Sequence, residues 1–79
     1  MDKRIRQITE TIHGREPFIY YVGQERMLPI NDGKREKRII CDILENETHY
    51  IISLANNEIS QIWKEIPKSD RITIEYFVN

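Results

Sequence analysis

Ile59-Ser60-Gln61-Ile62-Trp63-Lys64-Glu65-Ile66-Pro67 is the stretch on which the fold turns. Its apolar residues Ile59, Ile62, Trp63 and Ile66 stand at i, i+3, i+4 and i+7, the stripe of an amphipathic helix, and Pro67 supplies a stop. In a regular strand Ile62 and Trp63 would point to opposite faces, because successive side chains alternate. The spacing therefore predicts a short helix. If Glu58 to Trp63 were a strand instead, the chain would be a small SH3-like or Sm-like β-barrel with an N-terminal helix.

Upstream of this stretch Asn56-Asn57 breaks the pattern, and residues 38–44 and 48–54 read as two strands joined by a polar turn around Glu45-Asn46-Glu47. Ile39, Cys41 and Ile43 alternate with Ile40 and Leu44, while Tyr50, Ile52 and Leu54 alternate with Ile51. Apolar residues thus occupy both faces, so these strands are expected to be central, with part of the second face covered. Downstream, Ile72, Ile74, Tyr76 and Val78 alternate with Thr73, Glu75 and Phe77, a C-terminal strand with one apolar face. At the other end, Asp2 can cap a helix carrying Ile5, Ile8 and Ile12, with His13 in its last turn and Gly14 where helices commonly end. Pro17 then forces an extended start to the strand Phe18-Ile19-Tyr20-Tyr21-Val22, and Gly23 marks a bend or bulge. The expected architecture is a single α+β domain over residues 1–79: a four-stranded antiparallel sheet with two helices, in the order α-β-β-β-α-β.

Between Gln24 and Arg38 lies the candidate contact surface. Asn31-Asp32-Gly33 offers the positive φ that a tight hairpin needs, and a structureless loop of this length is uncommon in so small a domain. A β-ribbon over residues 24–38 is therefore expected, with Pro29 on an edge. It holds Arg26, Lys34, Arg35, Lys37 and Arg38, together with the apolar Met27, Leu28 and Ile30. Glu25, Asp32 and Glu36 reduce its net charge to +2. Arg and Met beside apolar anchors suit a protein interface better than a phosphate track, and the candidate partner-binding residues are Arg26, Met27, Leu28, Lys34, Arg35, Lys37 and Arg38. A basic ribbon that only protects a sheet edge is the plainer alternative.

The chain has 79 residues and a net charge of −1, with 15 Ile against three Leu, two Val and one Ala, so its core is β-branched. A bias toward Ile, Lys, Asn, Glu and Tyr is also what an AT-rich coding sequence produces, which suggests a bacterium or its phage. Residues 1–38 carry a balance of +3 and residues 39–79 one of −4. Strands interleaved from both halves would mix these charges. One cysteine allows no internal disulfide, no apolar run spans a bilayer, and Met1 to Arg6 has no apolar segment behind it. A cytoplasmic protein without a membrane role is expected.

No catalytic or metal-binding signature is present. Cys41, centred in an apolar strand, reads as a buried inert thiol; His13 and His49 lack partners at ligand spacing, and no Gly-rich phosphate loop occurs. No cofactor is expected. The function expected is therefore non-enzymatic: a small regulator or inhibitor that binds another protein through the ribbon and the uncovered sheet face, with homodimer formation through that face as a variant. Nucleic-acid binding by the basic ribbon at residues 24–38 is the alternative. The expected order of helix, three strands and helix in a short Ile- and Asn-rich chain resembles several phage-encoded inhibitors, including some Cas9-directed anti-CRISPR proteins, at the level of fold and with no shared motif.

Overall fold

Isoleucine is stiff at χ1 and packs well on a pleated surface, and this chain uses it throughout in strands. The computed structural model describes residues 4–78, and no α-helix occurs among them. The strands are β1 (Ile5–Glu10), β2 (Phe18–Tyr21), β3 (Glu25–Pro29), β4 (Arg35–Glu45), β5 (His49–Ala55), β6 (Ser60–Pro67) and β7 (Ile72–Tyr76). They form two antiparallel sheets, β2-β1-β7 and β3-β4-β5-β6.

Gly23 joins the two sheets. With φ of 97° it takes a conformation that L side chains rarely adopt, and it turns the chain out of one sheet into the other. Just before it, Val22 N still donates to Arg6 O at 2.9 Å; Gly23 N then donates to Ile40 O at 2.8 Å, and Ile40 N to Gln24 O at 2.9 Å. Residues 18–29 thus act as one bent strand that pairs first with β1 and then with β4. The inner faces of the sheets meet in one core of Ile5, Ile8, Tyr20, Ile40, Ile43, Ile52, Leu54 and Ile66. Each such side chain contributes on the order of 1.5–3 kcal/mol through burial.

Both expected helices are overturned, and for one reason. Three strands carry a residue that their neighbour's register leaves unpaired: Arg6 in β1, Cys41 in β4 and Trp63 in β6. An extra residue of this kind advances the side-chain pattern by one, so residues three apart share a face. Ile5 and Ile8 share the core side across Arg6, and Ile40 and Ile43 share it across Cys41. In β6, Trp63 and Lys64 together oppose Ile52, which lets Trp63 pack inward beside Ile66 while Ile62 points out. The i, i+3 spacing of a helix is thus generated here by bulged strands. His13 lies in a turn after β1, and the expected cap Asp2 lies outside the described residues. The order α-β-β-β-α-β is replaced by seven strands, an arrangement compatible with the SH3-like alternative. The resemblance to phage inhibitors, carried by the helices, goes with them.

The same turn chemistry closes the β4–β5 and β5–β6 hairpins of the larger sheet. Asn46 Oδ1 accepts from Thr48 N and His49 N at 2.9 and 2.8 Å, and Asn56 Oδ1 accepts from Glu58 N and Ile59 N at 2.8 Å each. In each turn the asparagine N donates to the carbonyl three residues on, His49 or Ile59, at 3.0 Å. An Asn side chain thereby stands in for backbone partners at both corners. No helix of the described residues is long and apolar enough to cross a membrane.

Candidate functional site

The expected ribbon is present: β3 pairs with the first half of β4 from Glu25↔Ile39 to Pro29↔Arg35, and β3 is a sheet edge. Its tip is a short turn at Asn31–Gly33, where Asp32 and Gly33 take φ of 64° and 72° and Ile30 N donates to Lys34 O at 2.9 Å. Residues paired across strands share a face, so the register sorts the candidate residues into two sets. Arg26, Leu28, Glu36 and Arg38 face the core side, whereas Met27, Arg35 and Lys37 face outward and Lys34 flanks the turn.

On the core side Arg26 and Arg38 stand directly opposite each other, an unfavourable pairing of like charges that other groups relieve. Arg38 Nε and Nη2 donate to Glu36 Oε2 at 3.0 and 2.9 Å, and Asn56 Nδ2 donates to Glu36 Oε1 at 2.7 Å. The hydrogen bond from Arg38, followed by that from Asn56, holds the Glu36 carboxyl below its ordinary value of 4.5. Arg26 lies over the rings of Tyr20 and Trp63, 5.1 and 5.5 Å from their centroids, and Lys64 covers the same pair at 5.3 and 5.1 Å. The rings themselves meet edge to face at 5.9 Å, and Lys64 Nζ donates to Tyr20 Oη at 3.2 Å. Two cations thus seal one aromatic pair at the rim of the core. Arg26, Leu28 and Arg38 are occupied within the fold.

The outward side is different. Cross-strand pairing places Met27 beside Lys37, Ile39 beside Ala55, Ser53 beside Ile62, and Leu44 beside Ile51. Met27 is 54% exposed, Ile39 42%, Leu44 52% and Ile62 61%, and Ile59 in the adjoining turn is also exposed. Among the described residues no element covers this face. The sequence pointed to an uncovered face of this kind, on a sheet expected to carry two helices on its other side. The signal was there in the apolar residues on both sides of β4 and β5. Cys41, expected to be buried, lies on this face too, because the bulge turns it outward. Its Sγ donates to Ser53 O at 3.5 Å and lies 3.6 Å from Ser60 Oγ.

Chemistry-bearing groups do not converge. Among the described residues no group of His, Cys, Asp and Glu could hold a metal ion. A groove of about 260 Å³ is lined by Glu36, Asn56, Asn57 and Glu58, and Glu36 is already engaged by Arg38 and Asn56. Neither Cys41 nor His49 lines it; His49 Nδ1 lies 2.8 Å from Thr48 Oγ1. No protein-family model matches the chain, and no curated protein or solved structure is significantly similar to it. The chain's own surfaces therefore carry what can be read of its function.

Proposed function

We propose that this chain is a small non-enzymatic regulator or inhibitor of the cytoplasm that works by binding protein through the outer face of its four-stranded sheet. The observation that carries this reading is the set of large apolar side chains at Met27, Ile39, Leu44 and Ile62, left bare on β3, β4 and β6 of one face, with the half-buried Ile51 and Ala55 of β5 between β4 and β6. Isolated exposed apolar residues are ordinary, but a contiguous group marks a contact surface. The polar surroundings, Arg35, Lys37, Asp42 and Glu65, form the charged rim that such interfaces carry. The same register weakens the nucleic-acid alternative, since Arg26 and Arg38 turn inward and Lys37 shares its outward charge with Glu25 at 3.7 Å.

The test is a displayed-peptide selection carried out on the native chain and on Ile39→Asp/Ile62→Asp. Both substitutions lie on solvated positions, so the variant is expected to keep its circular dichroism and its cooperative melt. Binders enriched on the native chain should lose at least about tenfold in affinity for the variant, or about 1.4 kcal/mol. Binders indifferent to both changes would remove the face from consideration. Salt-sensitive binding of single- or double-stranded DNA at low ionic strength, lost in Lys34→Ala/Arg35→Ala/Lys37→Ala, would favour the alternative instead.

A further inference from the structure

We infer that the occupant of this face is a second copy of the chain, docked antiparallel about a two-fold axis close to Ile39; the inference rests on the outer face being the contact surface. The outward positions of β4 run in the order Arg35, Lys37, Ile39, then Cys41 with Asp42 at the bulge, then Leu44. Charge changes sign along this line. The ribbon end is basic at Arg35 and Lys37, Glu25 beside Ile39 lies 3.7 Å from Lys37, and Asp42 follows with Glu65 alongside Leu44 and Ile51. Reversing the line about Ile39 brings Lys37 of one copy to Asp42 of the other. The same rotation carries Arg35 to the row that holds Leu44 and Glu65. A two-fold axis makes each such contact twice, so a face that is basic at one end and acidic at the other is complementary to itself. The apolar groups Ile39 and Ala55 fall at the centre of the contact, where stacked sheets exclude water best, and Ile62 lies one step away in the row of Asp42 and Ser53.

A parallel stacking would set basic end on basic end, and an unrelated partner would need no change of sign along the outward positions of β4. The antiparallel pair of identical faces is the arrangement that the charges select. The bulge contributes directly: it places Asp42 outward at a step where an unbulged β4 would present a single residue.

Sedimentation velocity with the full chain, over a dilution series and at low and high salt, is the test. The native chain should dissociate on dilution, and more readily at high salt. Lys37→Glu and Asp42→Lys should each weaken association by about tenfold, since every reversal acts at two symmetric contacts. The doubly reversed chain should recover it. A monomer at millimolar concentration overturns the self-docking, and the peptide selection above still decides the face. A dimer that ignores Ile39→Asp, Ile62→Asp and the charge reversals overturns both. A dimer that depends on the two isoleucines but is not rescued by the double reversal keeps the face and rejects the antiparallel arrangement.

Discussion

Glu36 ties three parts of the molecule together at one carboxylate. It sits on the ribbon, takes two hydrogen bonds from Arg38 on its own strand, and reaches Asn56, which in turn builds the β5–β6 corner. Because its carboxyl is held below 4.5 in the folded chain, the unfolded chain takes up the proton first as the pH falls. Its contribution is present above that value and is lost as the pH falls through the lower, folded one. Urea midpoints should therefore drop as the pH is taken below about 4.5, and Glu36→Gln should flatten that part of the profile. An unchanged profile in the variant would mean that Glu36 is not among the groups responsible. Sequence alone placed Glu36 in the ribbon but gave no hint of this role, because its second partner lies 20 residues away across a turn.

At the scale of strands, the three bulges explain what the sequence showed and what it hid. The strand over Phe18–Tyr21, the ribbon, its edge at Pro29 and the turn at Asn31–Gly33 were all legible, since alternation and turn residues act over a few neighbours. The first and sixth strands were not, because an unpaired residue inside a strand reproduces helical spacing, and the register that reveals it depends on the partner strand. A deletion experiment separates the two kinds of residue. Removing Cys41 takes away only the unpaired position and leaves Ile40, Ile43 and Leu44 on their own faces. That variant should fold cooperatively, with some loss of stability from the lost bend. Removing Ser53, which is paired and outward, turns one flank of a central strand inside out and drives either Ile52 or Leu54 from the core. Relative to burial of that side chain, about 2–5 kcal/mol is lost, and no cooperative transition is expected. Circular dichroism melts of the two deletions, taken side by side, decide the matter.

At the scale of the molecule, the opposite charge balances of the two halves of the sequence do not become two sides of the fold. Each sheet takes strands from both halves: β1 and β2 join β7, and β3 and β4 join β5 and β6. What survives is a local gradient on one face, from Arg35 and Lys37 to Asp42 and Glu65. Such a gradient is invisible in a count of charges and appears only when register assigns outward positions. The chain's breadth of 39 × 37 Å against a depth of 21 Å leaves that face large relative to the core beneath it. A second layer laid on it would deepen the protected interior without lengthening the chain, a route to stability suited to a domain of 79 residues.

The strand bent at Gly23 has one more consequence. A single cut at the exposed Asp32–Gly33 tip would leave one piece with β1, β2 and β3 and another with β4 to β7, so that neither piece owns a complete sheet. Each fragment would carry the strands the other lacks, in both layers at once. Mixed together, the two should reassemble, while each alone stays without order, which makes the protein a natural two-part reporter whose signal requires both pieces to meet.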